Sequence, residues 1–308
     1  MSKPLSDLAV VATSLMVSVF DVSLNLIVGI LTGSQTMIAQ ALQGSSDLVT
    51  AGLLFVGVKR SRKQPDKKHP LGYGSEVFFW VLIAGMFMFL GTGFLSVYLG
   101  YQQIIDPGEV ERIGFAFAVL SFGFMTNGFA FSRSLKRLRQ TGNGKKSWRR
   151  QLFNSSLVET KATFTLDLLG TSSALMGLIA LGLYVVTGDA RFDGVGGVLV
   201  GGSMMISAGA LIADVRSLIV GRTAPQSIQN KIEKIVESNE HVQDLLDLKA
   251  VFLGSEKMLV LIEVHLQDDL DTDDIEKISD DIKDSVKAKI PSAFLIQVEV
   301  ETPDSEVS

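Results

Sequence analysis

Asp47 and Asp167 are the side chains in this sequence whose chemistry is hardest to account for as structure. Each lies near the middle of a long apolar segment, residues 37–59 and 157–186. A carboxylate at the centre of a membrane-spanning helix costs about 2.5–3.5 kcal/mol on insertion scales, so it persists where it faces a protein or water interior, paired or coordinating an ion. Both are therefore candidates for an ion path. Asp21 interrupts a third apolar segment, with Asn25 one turn further on. It is a candidate third acid or proton carrier, and hydrogen bonding to a neighbouring helix accounts for it equally well. Glu159 and Lys161 open the fifth apolar segment and read as a snorkelling pair that neutralises itself.

These acids need a membrane around them, and the composition supplies one. A mean hydropathy of +0.33 with 47% hydrophobic residues is too apolar for an ordinary soluble chain of 308 residues. The apolar residues fall in six blocks, 8–31, 37–58, 77–103, 113–135, 156–186 and 193–217, each long enough to span a bilayer. The first block carries Asp21 and Asn25 and lacks a small-residue cleavage site, so it is expected to remain as a span. The absence of cysteine excludes disulfides and thiolate metal sites, and moves any metal preference toward oxygen and nitrogen ligands.

Loop charge sets the expected orientation. Lys59, Arg60, Arg62, Lys63, Lys67 and Lys68 lie between the second and third blocks, and eight further Lys and Arg between the fourth and fifth. The other three connections hold only Arg112 and Arg191. Positive-inside asymmetry places the two basic loops, and with them both termini, in the cytoplasm of an inner or plasma membrane. Residues 1–220 carry a net charge of +6 and residues 221–308 a net charge of −11, which marks the latter as a separate water-exposed domain. Pro225 suits the first turn of a helix with Ile228, Ile232, Ile235 and Val236 inward. Alternation through Leu246–Phe252 and Val260–Leu266 gives two strands turning at Gly254-Ser255, and Thr272 is placed to cap a second helix. Phe294, Ile296, Val298 and Val300 form a last strand, completing the order α-β-β-α-β. The domains expected are thus 1–220, six helices in the membrane, and 221–308, a cytoplasmic acidic α+β domain.

Several stretches resemble one family in order along the chain. Thr32-Gly33-Ser34, Ala39, Ala41 and Ser45-Ser46-Asp47 are similar to the second-span signature of the cation diffusion facilitators, the divalent metal cation/proton antiporters also called cation efflux proteins. So are His69-Pro70-Leu71-Gly72-Tyr73-Gly74, Asp167 ten residues before Gly177, and Arg216-Ser217-Leu218-Ile219-Val220-Gly221. The loop running into Phe78-Phe79-Trp80 is closest to the zinc- and iron-leaning branches. The resemblance covers roughly residues 10–303. It implies an α-helical membrane protein with six transmembrane helices and a ferredoxin-like or metallochaperone-like cytoplasmic domain, acting as a homodimer in the lipid bilayer. Its transported ion would be a divalent cation of the zinc, iron or manganese class, exchanged for protons, with no other cofactor and no nucleic-acid partner.

The same resemblance implies a site of four ligands, with His or Asp four residues before each intramembrane aspartate. This chain has Gln43 and Thr163 there. The spacing still places Gln43 with Asp47, and Thr163 with Asp167, on common helix faces. Two carboxylates, an amide and a hydroxyl make a hard, oxygen-rich set suited to Mn²⁺, Fe²⁺ or Mg²⁺ more than a histidine site would be. Asp66 and His69 stand where relatives hold a regulatory ion, but Tyr73 replaces a further histidine, leaving a weak pair. Glu263, His265, Glu299 and Glu301 read as a solvated strand face. No nucleophile–base set, phosphate loop or cofactor motif is present, so an enzyme is not expected. Two readings stand: a secondary transporter exporting a divalent cation through Asp47 and Asp167, or a non-transporting relative serving as a membrane-anchored metal-binding or assembly subunit. The retained aspartates favour the first, and Gln43 and Thr163 the second.

Overall fold

The computed structural model describes residues 7–140, 158–254 and 257–303, and the chain divides into two units, one of long apolar helices and one built on a small sheet with residues 58–78. In the helical unit, α1 is Asp7–Thr32 and α2 is Gln35–Ser61. A long rod follows, made of α3 (Glu76–Met86), a π-helical segment (Phe87–Gly93) and α4 (Phe94–Ile105). Then come α5 (Ile113–Gln140), α6 (Val158–Thr187) and α7 (Arg191–Ile219). Five stretches are long and apolar enough to cross a bilayer: Gln35–Ser61, Glu76–Ile105, Ile113–Arg133, Asp167–Thr187 and Arg191–Ile219. The apolar part of α1 is the shorter Ser18–Thr32, so of the six expected spans five meet the length requirement among the described residues.

The outer surface of this unit is what a lipid solvent permits. Met16, Phe20, Phe55, Met125, Phe129 and Ile206 are each more than 60% exposed, which water would penalise and hydrocarbon does not. Small residues hold the interior together. Val28, Met37, Ala116, Leu120 and Leu181 form one cluster; Ala39, Met88, Leu169, Val200, Met204 and Ala208 form another, so α2 contributes to both. A Cβ on Gly201 would stand 2.8 Å from the Gly93 carbonyl, and one on Gly100 2.6 Å from the Gly194 carbonyl, which is why α4 and α7 can run in near backbone contact.

In the second unit, α8 (Gln226–Val236), β1 (Val242–Phe252), β2 (Met258–Leu266), α9 (Thr272–Lys289) and β3 (Ala293–Val300) follow in the expected α-β-β-α-β order. β1 pairs antiparallel with β2, and β2 parallel with β3 across the α9 crossover. Alternate residues of β2, from Met258 through Val260, Ile262 and Val264 to Leu266, are buried with Ile232 and Val236 of α8 and Ile278, Ile282 and Val286 of α9. Two helix starts differ from expectation. Asp271, not Thr272, caps α9, its carboxylate accepting from the Asp274 N–H at 2.9 Å, because Asp271 has the extended backbone a cap requires. Pro225 also occupies the cap position of α8, one residue before its first turn.

Candidate functional site

The site is built on α2. Its first turn follows Gly33, whose φ of +70° lets the chain reverse out of α1. Its first N–H groups are satisfied by Asp193 from the first turn of α7. One carboxylate oxygen accepts from the Ser34 hydroxyl at 2.6 Å and the Thr36 N–H at 3.2 Å, and the other from the Gln35 N–H at 2.6 Å. The Thr36 hydroxyl donates back to the Asp193 carbonyl at 2.9 Å, and both residues are fully buried. The local cap is partial, the Ser34 hydroxyl oxygen accepting the Met37 N–H at 3.3 Å; Asp193, 157 to 159 residues away, serves the two N–H groups before it and joins α2 to α7. Asp193 is not among the site residues expected from the sequence, although an acid in the first turn of an apolar helix is a legible signal.

From this anchored end, α2 carries Gln43 and Asp47 inward. Gln43 is 3% exposed, and neither its side-chain carbonyl nor Oδ1 of Asp47 has a hydrogen-bond partner among the described residues. Gly44 lets α1 approach at this level, since a Cβ there would lie 2.7 Å from Val22. That approach puts Asp21 within electrostatic reach of Asp47, and Asp167 of α6 reaches Asp47 in the same way. The structure therefore brings the three acids into one region. It does not gather them as a finished cage: among the described residues no three of His, Asp and Glu stand close enough together to hold a metal ion. The NH₂ group of Asn25 is spent locally, donating to the Asp21 carbonyl at 2.8 Å. The side chains of Thr163, Glu159 and Lys161 lie outside the described residues. α2 also carries four further buried polar groups without partners among the described residues, on Gln35, Gln40, Ser46 and Thr50. Sequence reading missed these, because hydroxyls in a helix are usually satisfied by their own backbone.

The two weaker candidates differ from a metal centre in identifiable ways. Asp66 is already saturated: it accepts from the Tyr73 hydroxyl at 2.6 Å, from the Lys68 and His69 N–H groups, and from Lys63. The Tyr73 hydrogen bond first, and the backbone bonds after it, hold its carboxyl well below the usual carboxylate range. The His69 ring rests tilted on Tyr73 at 4.3 Å between centroids. Asp66 thus closes a loop, with its acceptor positions taken by Tyr73, Lys63 and two backbone N–H groups. On the sheet, Asp247, Glu263 and Glu299 stand in one row across the three strands. Lys249 lies 2.6 Å from Asp247 and holds that carboxyl down, while partial desolvation and then the hydrogen bond shared with Glu301 push Glu263 up. His265 places Nδ1 3.2 Å from the Glu301 carbonyl.

Comparison with known proteins bears on the whole chain. Residues 10–220 match the cation efflux transmembrane domain, and residues 224–301 match the cation efflux protein cytoplasmic domain. The proton-coupled zinc antiporter SLC30A9, mitochondrial, of Mus musculus is 28% identical over 241 residues, covering 76% of this chain and 42% of that protein. The chain thus spans about half, or less, of the length of the SLC30A9 proteins it matches. Magnetosome protein MamB of Magnetospira sp. is 22% identical over 264 residues, covering 86% of this chain and 84% of its own. A solved nickel form of the MamM CTD aligns with 26% of this chain at 18% identity and a TM-score of 0.24. With two thirds of its length matched by the transmembrane domain and most of the remainder by the cytoplasmic one, the chain belongs to the cation efflux family, whose members are membrane transporters and not enzymes.

Proposed function

We propose that the protein exports a divalent metal cation from the cytoplasm in exchange for protons, with the ion held between Asp47 and Asp167. The observation that carries this reading is the carboxylate oxygen of Asp47 that has no partner among the described residues, buried mid-helix one turn from Gln43 and within electrostatic reach of two other acids. A buried, unsatisfied carboxylate is costly, and a cation that arrives and leaves is the partner that resolves the cost without abolishing function. Gln43, and Thr163 by its position one turn before Asp167, add neutral oxygen ligands. Asp21 is close enough to feel the same charge and serves as the proton carrier, since protonation of one acid in a group of three weakens the hold on the ion.

The ion is assigned to the zinc, iron or manganese class. The zinc named for SLC30A9 supports zinc, and the oxygen-rich ligand set supports the harder cations. The two basic loops orient the protein with both termini inside, and two copies pair through residues 224–301, as the match to a cytoplasmic dimerisation domain supports. The test is metal-dependent flux, with simultaneous intravesicular pH recording, in proteoliposomes holding the full chain. Asp47→Ala and Asp167→Ala are expected to insert normally and lose transport. Unchanged flux in either would remove the site, and absence of flux in the parent across a panel of divalent ions would favour the membrane-anchored binding subunit.

A further inference from the structure

Buried hydroxyls of the apolar helices bond back to their own helix or across to a neighbouring one, and among the described residues two do neither. Thr32 donates to the Val28 carbonyl at 2.7 Å, Ser45 to Ala41 at 2.8 Å, Thr171 to Asp167 at 2.8 Å and Ser203 to Val200 at 2.7 Å. Bonding back one turn is how a hydroxyl is satisfied where water is absent. Ser46 and Thr50, 0% and 3% exposed, make no such bond and have no other partner among the described residues. The contrast is sharpest between neighbours, since Ser45 bonds back and Ser46 beside it does not. Leaving a buried hydroxyl unpaired forfeits its hydration with nothing in return. Two such groups one turn apart point to a ligand that satisfies them.

Their placement says which ligand. At 3.6 residues per turn, Asp47, Gln43, Thr50 and Ser46 fall within a sector of about 100° on α2, and Thr50 lies about 4.5 Å along the axis from Asp47. The displacement is toward Lys59 and Arg60, the basic end of the helix. We propose that Thr50, on the cytoplasmic side of Asp47, and Ser46, beside Asp47, form a hydroxyl station that takes up a partly hydrated divalent cation before the ion settles between Asp47 and Asp167. The proposal rests on the transport reading above and adds a step to it. Neutral oxygens suit that step: they replace some of the waters of a hard cation without the charge that would trap it, and conduction between sites requires each to release what it binds. The hydroxyls bind and hand on; Asp47 supplies the charge.

The test measures initial rates against Mn²⁺ and Zn²⁺ concentration on the cytoplasmic face of proteoliposomes containing the full chain, for Thr50→Val, Thr50→Ser, Ser46→Ala and Asp47→Ala. Thr50→Val keeps the shape and removes the oxygen, and is expected to raise KM about tenfold, the scale of one hydrogen-bond-strength contact to a charge. Thr50→Ser returns the oxygen and is expected to restore the parent KM. A parent-like KM in both Thr50→Val and Ser46→Ala overturns the station, as does a Thr50→Ser variant as impaired as Thr50→Val, which would assign the residue to packing. Failure of the underlying transport reading looks different: there, Asp47→Ala itself transports at the parent rate.

Discussion

Replacing Asp193 by alanine is expected to loosen the helical unit more than any surface change. Three donors end on this carboxylate: the Ser34 hydroxyl at 2.6 Å, the Gln35 N–H at 2.6 Å and the Thr36 N–H at 3.2 Å. The two N–H groups belong to the first turn of α2, where no carbonyl of the helix can serve them. Asp193, Ser34 and Thr36 are all fully buried, so water cannot substitute. Each abandoned donor costs about 1–3 kcal/mol, and part of that is recovered by relaxation of the turn, leaving a net loss of about 3–5 kcal/mol. For a unit of this size that corresponds to a fall in apparent melting temperature on the order of 10 °C. Asp193→Asn retains one acceptor oxygen but turns an NH₂ group toward a donor, so about half the loss is expected. The assay is thermal unfolding of the purified full chain in detergent, followed by the loss of the monodisperse peak on size-exclusion chromatography. An Asp193→Ala protein melting within about 2 °C of the parent would show that the cap contributes no more than an ordinary surface bond.

Two other outcomes are expected. Gln43→His should raise affinity for Zn²⁺ relative to Mn²⁺, because imidazole is a good zinc ligand and an amide oxygen a poor one; competition binding on the purified protein reads it, and no gain in zinc preference means Gln43 does not face the ion. Tyr73→Phe should let the Asp66 carboxyl titrate closer to its ordinary value of about 3.9. A depressed pKa stabilises the folded loop fully above that ordinary value and is lost as the pH falls through the folded one, so the parent loop should persist to more acidic pH than the variant. Carboxyl NMR titration measures the shift, and identical curves would remove Tyr73 as its cause.

Much of this architecture was legible because lipid enforces it. Hydropathy exposes α2 through α7 since a span must be apolar along its length, and Asp47 and Asp167 stand out against that background. The α-β-β-α-β order was legible for a similar reason: β2 buries every second residue, and period two survives in the sequence. What escaped depends on partners far along the chain or on rotamers. Asp193 reads as a loop-proximal acid until α7 is laid against α2. Ser46 and Thr50 look like Ser45 in the sequence, and only the hydroxyl direction separates them. Asp66 and His69 keep the spacing of a ligand pair, yet the acceptor positions of Asp66 are taken by Tyr73, Lys63 and two backbone N–H groups. Asp271 and Thr272 are both good capping residues, and the backbone at Asp271 decided between them.

The π-helical segment Phe87–Gly93 has a consequence for how chains of this kind can be lengthened or shortened. A π turn accommodates an extra residue within a helix and shifts the phase of everything after it. From its last residue onward, Gly93, Ser96 and Gly100 meet Gly201, Gly197 and Gly194 in reverse order, with the Ser96 hydroxyl donating to the Gly197 carbonyl at 3.0 Å. Removing one residue from 87–93 would let the segment close to ordinary α geometry and leave the face beyond it directed at α7, because the wide turn holds about one residue more than an α turn does. The same deletion inside α4 meets no such slack and would turn the face beyond it by about 100°.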